Sequence, residues 1–135
     1  MIFHYEEITT QIRRPIIPIL LKSKKAFIIY RALIDSGSDH CIFSKDLADL
    51  LEIPLSPKNK IVFRGISSEN IEGFSSEIGI RVGNVNYQTR VIFAEISDFG
   101  HGILGQKGFF DHFDVNLSYQ KQTVKLDQID PRAND

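Results

Sequence analysis

The chain has 135 residues, of which 42% are hydrophobic and 24% charged, and its formal net charge is -1. That is an ordinary globular composition, long enough for one domain around a modest core. With charge so balanced and no basic stripe, a nucleic-acid or acidic-lipid partner is not favoured.

Residues 1–14 mix polar and apolar positions and read as an arm or a weak strand. They lack the basic flank and apolar run of a signal peptide. Residues 16–21 and 26–34 are rich in β-branched and aliphatic residues. Lys22, Ser23, Lys24 and Lys25 separate them, so a β-hairpin is predicted, with the lysines as a solvated turn. Pro18 and Arg31 interrupt these runs, which are too short to cross a bilayer. The second strand runs directly into Asp35-Ser36-Gly37-Ser38-Asp39. A carboxylate at the end of a buried strand is a costly placement, and the glycine beside it permits a tight turn or a close approach.

Ser44 has the place of a helix N-cap, with Asp46 in the first turn. Leu47, Leu50 and Leu51 follow at helical spacing and Pro54 closes the segment, so a short helix over 45–51 is expected. Residues 61–64 read as a strand. The polar stretch Gly65-Ile66-Ser67-Ser68-Glu69-Asn70-Ile71-Glu72-Gly73 reads as a mobile hairpin tip. Phe74, Ile78, Ile80 and Val82 then mark one face of a long strand, Gly83-Asn84 its turn, and Val85, Tyr87, Val91 and Phe93 its partner. Further on, Ile103-Leu104-Gly105 is a second short buried strand ending in glycine. Phe109, Phe110 and Phe113 lie at spacings that predict a helix over 107–113, and a last hairpin over 115–126 precedes a polar tail at 128–135. Many short strands with one or two short helices describe a small, mainly β domain.

Hydrolysis of a peptide by carboxylates needs two acids sharing one proton, one to activate water and one to polarise the carbonyl. The chain has one Asp-Ser-Gly. Asp98-Phe99-Gly100 lacks the Ser or Thr of a second catalytic turn, and the chain is too short for the kinase motif it mimics. A second carboxylate then has to come from a second copy of Asp35, which a two-fold dimer supplies.

This ordered set of features (Leu33-Ile34-Asp35-Ser36-Gly37-Ser38-Asp39, the hairpin tip at 65–73, Gly102-Ile103-Leu104-Gly105-Gln106-Lys107-Gly108-Phe109-Phe110, then a closing strand pair) resembles the retropepsin-like aspartic proteases. It looks most like cellular and prokaryotic members. The resemblance spans roughly residues 15–126 and implies a retropepsin-like acid protease barrel, active as a homodimer, with a domain over 15–127. It also implies an endopeptidase acting on polypeptides without metal or cofactor, and needs no membrane or nucleic acid. Asp35 would be the catalytic acid and base, and Ser36 would tie the two active-site loops across the two-fold. Gly37 would offer its carbonyl to the substrate backbone, and Asp39 would bind substrate main chain. Ser38, Ile42, His101 and Ile103 would line side-chain pockets, and residues 65–73 would form the flap that closes over the peptide. One departure stands out. Viral members carry Arg directly after the later glycine, where it supports the dimer; here that position is Gln106.

Each of these residues also has a plainer reading. Asp35 alone reads as a turn acid ahead of Gly37, a reading the full set of features outweighs; Ser36 also reads as the closure of a local turn, and 65–73 as an ordinary hairpin loop. The single cysteine, Cys41, allows no internal disulfide and suits a reducing, cytoplasmic setting. It reads as a small buried residue, and the histidines have no paired metal-ligand spacing. The phenylalanines at 109, 110 and 113 read as core or subunit contact. As a whole, the chain could be a retropepsin-like peptide-binding or dimerisation module without catalysis, or a monomeric β domain with a structural Asp35.

Overall fold

The computed structural model describes residues 1–64, 69–96 and 100–130. The chain forms β1 (Ile2–His4), β2 (Glu6–Glu7), β3 (Arg13–Arg14), β4 (Ile16–Lys22) and β5 (Phe27–Ile34), then β6 (Ile42–Ser44) and helix α1 (Lys45–Leu50). After a 3-10 turn at Pro57–Asn59 come β7 (Lys60–Arg64), β8 (Asn70–Val82), β9 (Val85–Ala94), β10 (Gly102–Leu104), β11 (Phe113–Ser118) and β12 (Thr123–Gln128).

Seven strands make one sheet in the order β4-β5-β10-β6-β9-β8-β7. A further pairing of β4 with β8, through Leu20–Arg81, Leu21–Ile80 and Lys22–Gly79, closes that sheet on itself. Closure leaves β7 and the tip of β8 projecting as a hairpin, with Arg64 paired to Asn70. The expected β4–β5 hairpin forms because Ile17, Ile19 and Leu21 alternate into the core while Pro18 and Lys22 face solvent. At the other end of β5, Ala32 and Ile34 are buried, so the strand enters the core as it approaches Asp35.

The main core gathers Phe43, Phe93, Phe109 and Phe113 with aliphatic residues of β4, β8 and β12. Each such side chain contributes about 1.5–3 kcal/mol when fully withdrawn from water. Helix α1 forms as its sequence predicts. Ser44 accepts from the Asp46 amide at 3.2 Å, and Leu47 and Ala48 bury one face.

Two expectations are corrected. Residues 107–113 do not form a helix. Gly108 sits at φ +104°, a conformation foreign to a right-handed helix. Its amide turns to the Asp111 carboxylate at 2.9 Å. The Phe113 amide does reach the Phe109 carbonyl, but Phe110 and Asp111 bond five residues back, to Gly105 and Gln106. The phenylalanine spacing reflects a compact set of turns packed on the core. The predicted hairpin tip is also shorter than 65–73, since Asn70 to Gly73 already pair with β7.

The chain ends meet in a small sheet of order β1-β12-β11. Phe3 pairs with Val124, and the Met1 ammonium donates to the Leu126 carbonyl at 3.0 Å. The polar C-terminal stretch is ordered at its start, because Gln128 pairs with Phe113 and the Ile129 amide reaches the His112 carbonyl. Among the described residues, no helix is long and apolar enough to cross a membrane.

Candidate active site

Asp35 follows the last residue of β5, where that strand runs parallel to β10 through Ala32–Gly102, Leu33–Ile103 and Ile34–Leu104. β10 in turn pairs with β6 through Ile103–Ile42. The Asp35 amide continues the ladder by donating to the Leu104 carbonyl at 2.9 Å. Beyond it the backbone turns. The Ser38 amide closes on the Asp35 carbonyl at 3.2 Å, and the Gly37 amide donates to Asp35 Oδ1 at 2.9 Å. Asp35 is half-buried, while Ser36 and Gly37 are exposed. A carboxylate is thus held by a backbone donor at the rim of a rigid barrel with its outer side open. The Ser36 hydroxyl has no hydrogen-bond partner among the described residues.

The loop is stitched to the segment after β10. Gln106 and Lys107 amides donate to the Ser38 and Asp39 carbonyls at 2.8 and 3.0 Å, and the Cys41 amide donates to the Lys107 carbonyl at 3.3 Å. Gly105 makes this possible, because a Cβ there would lie 2.6 Å from the Ser38 carbonyl oxygen and collide with that of His40. Gln106, the departure from the viral pattern, sends its side-chain amide to the Ser36 carbonyl at 2.6 Å. Asp39 is exposed and, among the described residues, forms no ion pair. Ser38 Oγ donates to the His40 carbonyl at 2.8 Å, so it braces the loop.

The structure brings Asp35, Ser36, Gly37, Ser38 and Asp39 into one turn and sets Ile42 and Ile103 side by side next to it. Those two isoleucines belong to a second apolar cluster, apart from the main core, with Ile92, Ala94, Ile96, Ile61, Phe63 and Ile71. It joins the floor beside Asp35 to the β7–β8 hairpin. Phe63 and Ile96 were not singled out as site residues from the sequence, and Ile71 was expected there only as part of the flap. Their signal was the alternation of Ile61 and Phe63 along β7, readable only once the strand's partner is known. His101 is half-buried, with Nδ1 2.9 Å from the Gly102 carbonyl oxygen. Of the expected flap, Gly65, Ile66, Ser67 and Ser68 lie outside the described residues; Glu69 and Asn70 are exposed, and Ile71, Glu72 and Gly73 continue β8.

Behind the loop lies Cys41, fully buried, whose Sγ accepts from the Gly105 amide at 3.4 Å. Burial pushes its thiol up to about 12, the Gly105 bond opposing and the Asp111 charge adding to the rise. Nearby, Tyr87 donates to the Gly108 carbonyl at 2.8 Å and stacks on His112, and burial raises its phenol as well. Among the described residues, no group of three or more histidine, cysteine or acidic side chains is arranged to hold a metal.

The closed β-barrel thus presents one carboxylate on a glycine turn, backed by the parallel strand β10 with Gly105 directly after it. The chain belongs to the aspartyl protease family, whose model matches residues 28–107 and so covers both the Asp-Ser-Gly turn and Ile103-Leu104-Gly105. Its fold is that of the retropepsin-like enzymes. A retropepsin-like aspartic protease from Rickettsia conorii is similar with TM-score 0.61 at 12% identity, covering 92% of this chain and 95% of that one. The retroviral protease-like domain of Ddi1 from Leishmania major gives 0.62 at 14% identity over 86% and 90%. The EIAV protease complexed with the inhibitor HBY-793 gives 0.55 at 21% identity over 74% and 88%. No curated protein sequence matches the chain significantly.

Proposed function

We propose that this protein is an aspartic endopeptidase whose active site forms where two copies of the chain meet across a two-fold axis. The observation that carries the reading is the exposed Asp35 turn. A carboxylate fixed by the Gly37 amide stands at the open rim of the barrel, beside the apolar strip of Ile42 and Ile103. One such acid per chain is half of the chemistry, and an isologous contact brings the same residue to itself.

In that dimer the two Asp35 carboxylates lie too close to ionise together, so they share one proton, as the two-carboxylate peptidases themselves illustrate. The ionised member takes a proton from water, which attacks the peptide carbonyl carbon. The protonated member gives its proton to the carbonyl oxygen. Collapse of the tetrahedral species expels the amine as the dyad protonates its nitrogen, and the shared proton is restored. Ser36, exposed at the same rim, would bond across the two-fold. Gly37, Ser38, Asp39, Ile42, His101 and Ile103 would hold an extended substrate, with the 65–73 segment closing over it. The substrate-binding unit is the domain over 15–127.

Incubation with a diverse peptide library across acid to neutral pH tests this. Cleavage by the wild type that disappears in Asp35→Asn is expected, with a bell-shaped pH profile that belongs to the pair. Peptide binding without cleavage at any pH would instead identify a catalytically silent binding module.

A further inference from the structure

The outer edge of β5 is open where the strand is furthest from Asp35. β4 pairs with the whole of β5, from Ile16–Leu33 to Lys22–Phe27. On the other side β10 covers only Ala32, Leu33 and Ile34. Strand alternation says which groups face outward. The Ile34 amide turns to the Pro15 carbonyl on the β4 side, at 3.0 Å, and the Asp35 amide turns to Leu104 on the β10 side, at 2.9 Å. Stepping back by twos, Phe27 and Ile29 direct both their backbone N–H and C=O groups away from β4, and Arg31 its N–H, while the Arg31 carbonyl belongs to the Ala32–Gly102 pairing that ends the β10 ladder. Among the described residues, no strand pairs with Phe27 or Ile29 there.

Their side chains make this edge unusual. Phe27 is 71% exposed and Ile29 69%. Natural sheets guard an open edge with charge, proline or a bulge, and two large apolar side chains do the opposite. Across the sheet the same face carries Leu20 opposite Ile29, Lys22 opposite Phe27, and Arg81 beyond Leu20. A shallow hollow of about 370 Å³ opens here, lined by Leu20, Lys22, Lys24, Lys25, Phe27 and Arg81, and no carboxylate lines it. None of the four cations is in an ion pair among the described residues. Lys22, Lys24 and Lys25 also border a second hollow, which Glu52 and Glu77 line, and Glu6 is engaged with Arg31. This concentration occurs on a chain of net charge -1.

We propose that the β5 edge at Phe27, Ile29 and Arg31 is a docking site for an extended acidic segment of a partner protein, added as a further strand. Unpaired backbone groups select an extended peptide, Phe27 and Ile29 take its apolar side chains, and Lys22, Lys24, Lys25 and Arg81 select its carboxylates. Ile29 precedes Asp35 by six residues of near-extended chain, about 20 Å at the strand rise. The docked segment therefore lies outside the Asp35 cleft, and the site stands whether or not Asp35 is catalytic.

The test is a titration of the full chain with a short labelled peptide alternating valine and glutamate, followed by anisotropy and by backbone amide shifts. Binding is expected to perturb the amides of Phe27, Ile29 and Arg31 and to persist unchanged in Asp35→Asn. Ile29→Pro removes an outward N–H without breaking a β4 bond, and Lys22→Glu with Lys24→Glu and Lys25→Glu reverses the charge while leaving the edge intact. Each should weaken binding by about tenfold or more, and added salt should do the same. The proposal is overturned if the peptide does not bind, if its lysine counterpart binds equally well, or if the shifts centre on the Asp35 turn. It is also overturned if anionic vesicles bind where the peptide does not, or if the edge is already occupied by a second copy, seen as self-association abolished by Ile29→Pro.

Discussion

Gln106 donates its side-chain amide to the backbone carbonyl of Ser36 at 2.6 Å. A neutral side chain thus ties the segment after β10 to the turn that carries Asp35. An ion pair in that position would weaken with salt; an amide does not. Gln106→Ala removes one exposed hydrogen bond, worth about 0.5–1.5 kcal/mol. It should lower kcat/KM by roughly two- to tenfold with little change in melting temperature. Gln106→Glu should depend on pH. Its protonated form can still donate to Ser36, whereas its carboxylate repels that carbonyl. Activity relative to wild type should hold on the acid side and fall towards neutral pH. Profiles of the two variants that superimpose on wild type would remove Gln106 from the account.

Gly105 is the position where the Asp35 loop tolerates least. A methyl group there meets two backbone carbonyls, those of Ser38 and His40, neither of which is the end of a flexible side chain. Gly105→Ala must therefore push the Asp35 loop away from β10. Overpacking of this kind costs about 1–3 kcal/mol and sometimes more. Urea unfolding should show a lowered midpoint at unchanged slope, with activity lost beyond what the stability change explains.

The sequence made the strands legible wherever the apolar pattern alternates against solvent. β4, β5, β8 and β9 all have one outward face, so Ile17-Ile19-Leu21 and Ile78-Ile80-Val82 could be read directly. Helix α1 was legible through Ser44, Leu47 and Pro54. The segment at 107–113 was misread because phenylalanines three and four apart fit a helix and a set of stacked turns equally well. What decides between them is the positive φ of Gly108, which no spacing encodes. The pairing of Phe3 with Val124 was invisible for a different reason, as register between chain ends is set by tertiary packing. In the candidate site, the Asp35 turn and its partner Ile103-Leu104-Gly105 were found from sequence. Phe63 was not, and Ile71 was expected only as a flap residue, because the β7–β8 register is what carries the pair to Ile42 and Ile103.

Cys41 supplies a prediction independent of activity. Its thiol is fully buried and pushed up to about 12, so little thiolate exists in the native state at pH 8. Iodoacetamide at that pH should leave the native protein unmodified and label it fully in denaturant, as read by intact mass. The same shift sets a direction for stability. Since the folded thiol holds its proton where the unfolded one has lost it, the stabilisation is complete below about pH 9 and is lost as pH rises towards about 12. Tyr87, raised by burial in the same way, adds to that alkaline loss. Cys41→Ala should flatten part of the alkaline limb of a melting-temperature profile, and rapid native alkylation would show that the site is not closed.

The proposed chemistry requires two chains to share one pair of Asp35 carboxylates. Mixing wild type with an equal amount of Asp35→Asn, under conditions where subunits exchange, tests it directly. If the site is shared, only dimers with two Asp35 residues work, so activity should fall to about one quarter of that of the same total wild-type concentration. A fall to about one half would mean that each chain acts alone, and would contradict the shared dyad.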